Sequence, residues 1–268
     1  MKRYLMPILV VPVVFIAFGV TLAAGTQGTQ PAAKKSAKKT TATKKSGGKV
    51  AVKCPAAITA GGTIVDCPDT GCGPRLDPNL NKQKNLAPDL STPLERDIEY
   101  LSKLPDPVPG YKIGDPRTKL RALGEGKTIR IVAYALIARR GSRESCNCGL
   151  TKAPDTDNHI VLVDPDTEEP TLKDSEPDSQ TGEFTPRVRL THTSLVGADL
   201  QRLITDTADK ALLVRVTGIQ MFDSEHSLGR HLKRHNNWEI HPILKLEYCP
   251  EDKTCVEDSD ANWVDMEK

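Results

Sequence analysis

Two long β-strand patterns near the C-terminal end of the chain constrain its fold most. Residues 211–222 and 238–248 are rich in β-branched and long apolar side chains, and both runs end at charged or turn residues. Residues 223–237 between them have almost no apolar side chains to bury, and three of the six histidines lie there. We therefore expect two strands joined by a polar loop, and we expect any functional site to lie at this loop.

Three further strands and one helix are predicted upstream. Residues 127–138, 158–164 and 184–192 have strand patterns, and the apolar residues of 194–206 fall on one helix face. A helix between strands three and four of a five-stranded chain is the arrangement of the oligonucleotide/oligosaccharide-binding (OB) barrel. We therefore predict a mainly β fold, with an OB-like barrel over residues 127–249. An open five-stranded α+β sheet and a small barrel of another topology are the alternatives.

The first 24 residues have the pattern of a signal peptide. A short positive start is followed by an apolar run over residues 5–20 and by small residues near Ala24, where a signal peptidase cuts. The alternative is an uncleaved membrane anchor, because the run approaches the roughly 20 residues that span a bilayer. Pro7 and Pro12 argue against a long helix. We expect an exported protein, periplasmic or extracellular, which is membrane-anchored if the segment is not cleaved.

Residues 25–53 form a segment of low complexity that is rich in lysine and lacks acidic residues. Such a segment repels itself and has no core to bury, so we predict a disordered linker. Its positive charge would also suit an anionic lipid or another envelope polyanion as partner. A plain solvated tether is the alternative.

Charge argues against nucleic acid as the partner of the remaining chain. The whole chain has a formal net charge of +2, and residues 1–53 contain ten basic and no acidic residues, so residues 54–268 carry −8. Much of this charge lies in residues 164–183, predicted to be an exposed loop, and in the acidic tail, residues 250–268, predicted to be exposed. The predicted second strand has no aromatic residue for base stacking, and the third has only Phe184. Nucleic-acid binding is therefore the weaker hypothesis, favoured only by a local strip of arginines.

Seven cysteines in an exported chain indicate disulfides, and their odd number leaves at least one thiol free or paired between chains. Cys249 and Cys255 are placed to close a terminal loop. Two of the cysteines in the Cys- and Pro-rich lead-in, residues 54–126, are placed to staple that segment, which also contains a predicted short helix over 93–104. Cys146 and Cys148 are too close for an easy mutual disulfide. Each pairs elsewhere, or both face one metal. The lead-in cysteines are Cys54, Cys67 and Cys72.

Histidines and acids concentrate at the predicted strand ends. The start of strand two, the loop after strand four and the start of strand five meet at one rim of an OB-like barrel. Imidazoles with carboxylates suit zinc, manganese or iron, and an open coordination position activates a water. The spacing is not that of a known metal motif, so the alternative is a set of loop residues and hydrogen-bond caps. The candidate ligands are Asp157, His159, Asp223, Glu225, His226, Glu239 and His241.

Several short motifs resemble a group of exported bacterial proteins of unassigned function. The most specific is Trp-Glu-Ile-His-Pro at residues 238–242, accompanied by Glu-Ser-Cys-Asn-Cys at 144–148 and Asp-Ser-Glu-His at 223–226. The resemblance covers about half of the chain, from Lys127 on. It implies an exported OB-like domain and implies no activity.

The sequence thus predicts an exported, envelope-associated OB-like binding module with a metal or ligand site at the barrel rim. A metal-dependent hydrolase, nuclease-like and using the same rim, is the first alternative. A structural envelope protein without a site is the second. Neither the ligand nor the reaction follows from the residues.

Overall fold

The computed structural model of the protein describes residues 50–191, 197–206, 211–226 and 233–266. Its strands are β1 (Val50–Val52), β2 (Gly73–Leu76), β3 (Leu94–Glu95), β4 (Thr128–Arg140), β5 (Asn158–Val163), β6 (Gln180–Phe184), β7 (Leu212–Phe222), β8 (Trp238–Tyr248) and β9 (Val264–Asp265). Its α-helices are α1 (Ala56–Thr59), α2 (Pro78–Lys84), α3 (Ile98–Ser102), α4 (Thr118–Ala122), α5 (Leu172–Ser175), α6 (Pro186–Arg189) and α7 (Gly197–Asp206).

Five of these strands close into a mixed barrel. Their order is β4-β5-β6-β8-β7, and β7 pairs back with β4. The pair β6–β8 is parallel, and the other four pairs are antiparallel. With α7 between β6 and β7 in the chain, this is the predicted OB-like arrangement, and the prediction of the fold is confirmed.

The barrel core follows from the alternation along the long strands. In β4, Ile129, Ile131, Ala133 and Ala135 are fully buried, and the residues between them are half-buried. Such alternation places one side of a strand against the core. The core also takes the apolar side chains of β5, β7 and β8, together with Leu200 of α7.

Gly218 allows β7 and β8 to approach closely where their pairing is irregular. The register shifts on both sides of this residue. A Cβ at Gly218 would lie 2.5 Å from the Pro242 carbonyl oxygen and 2.5 Å from Ile240 Cγ2. Only a residue without a side chain fits there.

The third barrel strand lies earlier than predicted. The expected strand over 184–192 is wrong, since β6 ends at Phe184 and α6 follows at Pro186. The Thr185 hydroxyl accepts a hydrogen bond from the Val188 N–H, and Pro186 occupies the first turn. A capping residue followed by proline starts a helix, which ends the strand.

The predicted lead-in helix over 93–104 is shorter than expected. Leu94–Glu95 instead forms β3, which pairs in parallel with β4. The helix α3 begins after Asp97, whose carboxylate accepts a hydrogen bond from the Tyr100 N–H. Asp97 is therefore the N-cap of this helix.

Three disulfides tie the chain together, Cys54–Cys72, Cys67–Cys148 and Cys249–Cys255. The predicted terminal loop and the predicted staple in the lead-in are both present. The Cys67–Cys148 bond joins the lead-in to the loop between β4 and β5. Cys146 is the free thiol, and it is buried.

The acidic tail is partly ordered against the barrel, although the sequence predicted an exposed segment. Its strand β9 pairs with β8. The buried Arg215 guanidinium donates hydrogen bonds to Glu247 at 2.8 Å and to Asp260 at 2.7 Å, and it lies 5.0 Å from the ring centroid of Trp263. These contacts of one arginine hold the tail.

The predicted signal peptide and most of the predicted linker, residues 1–49, lie outside the described residues, as does His231. Among the residues that are described, no helix is long and apolar enough to cross a membrane.

Candidate functional site

Neighbouring barrel strands place polar residues side by side on the outer face of the barrel. His159 of β5 pairs with Glu183 of β6, and the register of β6 with β8 places Glu183 beside His241. The next residue on β5, Ile160, and the preceding residue on β8, Ile240, belong to the hydrophobic core. Because side chains alternate along a strand, the two histidines point away from that core.

The loop between β4 and β5 covers this row with two more carboxylates, Glu144 and Asp157. His159 Nε2 lies 3.4 Å from Glu183 Oε1 and 3.9 Å from Glu144 Oε1. The second oxygen of Glu144 accepts a hydrogen bond from Lys84 Nζ at 2.8 Å, across a sequence separation of 60 residues. The lead-in therefore helps to build the site.

Five residues form what we call the carboxylate–histidine cluster: Glu144, Asp157, His159, Glu183 and His241. They fall into two groups that share Glu183, and within each group the candidate ligand atoms lie within 4.8 Å of one another. One group is Glu144, His159 and Glu183, and the other is Asp157, Glu183 and His241. A third group joins Glu144 and Asp157 with the Cys146 thiol.

Among the described residues, partners hold His241 at one ring nitrogen only. Its Nδ1 lies 3.0 Å from Glu239 Oε1 and 3.0 Å from Glu183 Oε2. Glu239 Oε2 in turn accepts a hydrogen bond from Arg234 Nη1 at 2.8 Å. A carboxylate at one imidazole nitrogen fixes the ring and leaves the other nitrogen for a further partner, the pattern found behind metal-bound histidines.

Four buried atoms of the cluster make no hydrogen bond within the described part of the chain: Asp157 Oδ1, His159 Nε2, Glu183 Oε2 and His241 Nε2. Asp157 and His241 are fully buried. Buried polar atoms in folded proteins are almost always paired, so each exception needs an explanation. Four of the twelve such atoms found among the described residues lie in this one cluster, on residue types that bind metals in other proteins.

Closely spaced, buried carboxylates shift the pKa values of the groups in the cluster. Burial, reinforced by the nearby Glu144, raises the pKa of Asp157 to about 7. Although burial disfavours a charged imidazole, Glu183 and Glu239 raise the pKa of His241 to about 10. Burial also raises the pKa of the Cys146 thiol, whose Sγ lies 3.3 Å from Glu144 Oε2.

A cavity of about 210 Å³ opens over the His159 side of the cluster. Glu144, His159 and Glu183 line its floor, and Asp223 and His226 line its wall. The Nδ1 atom of His226 is hydrogen-bonded to the Asp223 carboxylate. Burial alone would raise the pKa of Asp223, but the nearby Lys84 and the hydrogen bond with His226 lower it. The hydrogen bond to Asp223 raises the pKa of His226.

The position of the site matches the binding surface of OB barrels. That surface combines the face of barrel strands two and three with the loops between strands one and two and between strands four and five. The corresponding strands are β5 and β6, and the corresponding loops are residues 141–157 and 223–237. Fold and site together define an OB-like barrel with a buried carboxylate–histidine cluster on the face formed by β5 and β6. No protein-family model, curated protein or solved structure matches the chain.

The predicted site residues are partly brought together. Asp157, His159 and His241 belong to the cluster, and Glu239 supports His241. Asp223 and His226 line the adjoining cavity, whereas Glu225 is outside the cluster and its backbone N–H donates to Asp223 Oδ1. Of the two cysteines proposed to share a metal, Cys146 lies beside the cluster and Cys148 is in a disulfide. The row of polar residues extends across the strands on the outer face of the barrel. The sequence had instead predicted a site at the barrel rim.

Four residues of the site were not among the predicted ligands: Lys84, Glu144, Glu183 and Arg234. Glu183 was assigned to an acidic loop because β6 has few apolar residues. Its position next to Phe184, which faces the core, was the available signal. No sequence pattern identified Lys84 as a site residue, since only the tertiary fold brings α2 to the barrel.

Proposed function

We propose that the protein is an OB-like binding module whose outer face binds a divalent transition metal at the carboxylate–histidine cluster. The observation that carries this proposal is the pair of fully buried atoms, Asp157 Oδ1 and His241 Nε2, that find no hydrogen-bond partner among the described residues. Both residues belong to a group in which one candidate ligand atom of each residue lies within 4.8 Å of the others. A shared cation would give these buried residues a common partner.

The donor set indicates which metals fit. Two imidazoles and three carboxylates are offered by the cluster. This combination suits zinc, manganese or iron better than the all-oxygen environment that calcium and magnesium prefer. The hydrogen bond between Glu239 and His241 supplies the outer support that metal-bound histidines use.

Charge also favours a cation. Glu144, Asp157, Glu183, Asp223 and Glu239 are buried around the site, and the buried side chains of Lys84 and Arg234 are the permanent cations paired with them. With neutral histidines, this leaves an excess of three negative charges. Buried charge without compensation is costly, so the cluster is stable only when it holds protons or metal.

The experiment is a calorimetric titration of the chelator-treated protein with zinc, manganese(II) and iron(II). We expect binding of at least one metal, and we expect His241→Ala and His159→Ala to weaken it more than tenfold. His235→Ala is the matched control, since this histidine is exposed and outside the cluster. A parent that binds none of the three metals would leave a structural envelope protein as the better account.

A second candidate function is metal-dependent hydrolysis. It is favoured by the Asp223–His226 pair, which lines the same cavity as Glu144, His159 and Glu183. A metal-bound water would be the nucleophile, and His226 would transfer a proton. His226→Ala should then keep the metal and lose cleavage of an ester or phosphodiester, whereas a pure binding module shows no cleavage in either form.

We also infer that the protein is exported. The signal-peptide pattern of residues 1–24 supports this, and so do three disulfides, which persist in oxidising compartments. Fractionation of cells that produce the full chain tests it. Recovery of the chain with reduced cysteines in the cytoplasm would contradict it.

A further inference from the structure

We infer that the metal centre is dinuclear, with the Glu183 carboxylate bridging one cation on its His159 side and a second on its His241 side. This inference rests on the proposed metal-binding function and adds the number of ions and the ligands of each. Each ion would have one imidazole and two carboxylates from the protein.

The geometry of Glu183 carries the inference. Its two oxygens engage different histidines, since Oε1 lies 3.4 Å from His159 Nε2 and Oε2 lies 3.0 Å from His241 Nδ1. Glu183 therefore lies between the two imidazoles and presents one oxygen to each. A carboxylate that presents one oxygen to each of two imidazoles is placed to bridge two ions.

Apart from Glu183 the two ligand groups have different members, although Glu144 and Asp157 also lie close together beside Cys146. Glu144 and His159 complete the first, and Asp157 and His241 complete the second. Three protein ligands are the number used in catalytic zinc sites, which leave further positions for water or substrate. Each group is therefore sufficient to hold one ion.

The unpartnered atoms divide in the same way. His159 Nε2 belongs to the first group, Asp157 Oδ1 and His241 Nε2 belong to the second, and Glu183 Oε2, on the shared residue, lies on the His241 side. A single ion in either group leaves at least one buried atom of the other group unpaired. Two ions, one in each group, provide partners in both groups.

The charge of the site agrees with two ions. The buried carboxylates exceed the permanent cations by three charges, so one divalent ion leaves a net negative site when the histidines are neutral. A second ion changes this remainder of one negative charge into one positive charge, so the charge of the site is compatible with two ions as well as with one. Two-metal sites place their ions about 3.5–4 Å apart, a spacing that a bridging carboxylate spans.

The test is manganese(II) titration of the chelator-treated full chain, followed by elemental analysis and by electron paramagnetic resonance. We expect two manganese ions per chain and a spectrum with exchange coupling between them. His159→Ala and His241→Ala should each retain one ion and lose the coupling, and His235→Ala should retain two coupled ions. If circular dichroism shows that an alanine variant is unfolded, the corresponding glutamine variant replaces it.

One manganese ion per chain at saturation, with an uncoupled spectrum, would overturn the dinuclear centre and leave the proposed metal function intact. A parent that binds no metal would instead overturn the proposed function itself. Retention of two ions in both histidine variants would show that the ions bind elsewhere, which also contradicts the inference.

Discussion

Removal of the Cys67–Cys148 disulfide should destabilise the protein more than removal of either other disulfide. The bond closes a loop with a sequence separation of 81 residues, whereas Cys249–Cys255 closes one of 6. From the loop-closure entropy of the unfolded chain, the two bonds contribute about 4.5 and about 2.2 kcal/mol. For a protein of this size, these values correspond to falls in Tm of roughly 9–18 °C and roughly 4–9 °C.

The assay is thermal and urea unfolding of two double variants, Cys67→Ala with Cys148→Ala and Cys249→Ala with Cys255→Ala. Each removes both cysteines of one bond, so no new unpaired thiol is added beside Cys146. The second variant is the matched control for loss of a disulfide as such. Equal losses of stability, or a larger loss in the control, would refute the loop-length reasoning.

The same variants separate stability from site geometry. The Cys67–Cys148 bond anchors the loop that carries Glu144, and the Cys249–Cys255 bond closes a loop beyond the end of β8 that contains no residue of the cluster. We therefore expect weaker metal binding in the first variant and unchanged binding in the second, when both are titrated at a temperature where they are folded. Equal metal affinity in both would show that the lead-in does not position the site.

Three further predictions concern the barrel and its charges. Gly218→Ala should destabilise the protein more than Gly182→Ala in urea unfolding, because its new Cβ would meet a backbone oxygen at 2.5 Å, whereas that of Gly182 would meet only side-chain ends at 2.9 and 3.0 Å. Gly182→Ala should lower the free energy of unfolding by about 1–3 kcal/mol. Equal losses in the two variants would contradict the close approach of β7 and β8. Glu239→Gln should weaken metal binding about 10–100-fold in calorimetry, and an unchanged affinity would exclude its support of the histidine. Burial alone would raise the pKa of Glu247, but hydrogen bonds from Arg215 and Lys245 lower it. Its contribution to stability is therefore present above its ordinary pKa and lost as pH falls through the lowered value, so Glu247→Gln should flatten acid unfolding between about pH 5 and 3.

The long strands could be predicted because their sequence patterns fit a strand much better than a helix or a loop. β7 and β8 are runs of eleven residues that are almost entirely buried, and β4 alternates over most of its length. Tertiary contacts do not override patterns of this strength. In contrast, β6 has five residues, one of them glycine, and its identity depends on pairing with β5 and β8. A sequence pattern does not contain that information.

The candidate site could be predicted only where its residues adjoin recognisable strand ends. Asp157 and His159 flank the first residue of β5, and His241 follows Trp238 at the start of β8, so these three were predicted. Glu183 was not, because the error in the third strand placed it in a loop. Lys84 reaches Glu144 across 60 residues of chain, a contact that no local pattern encodes.

The position of a bound metal tests the central claim most directly. Crystals of the zinc-loaded protein should give an anomalous difference map, recorded at the zinc absorption edge, with peaks on the outer face of the barrel. We predict density at about 2.0–2.2 Å from a carboxylate oxygen of Glu183 and from an imidazole nitrogen of His159 or His241. Zinc bound only at other residues, with the cluster closed by its own hydrogen bonds, would contradict the account.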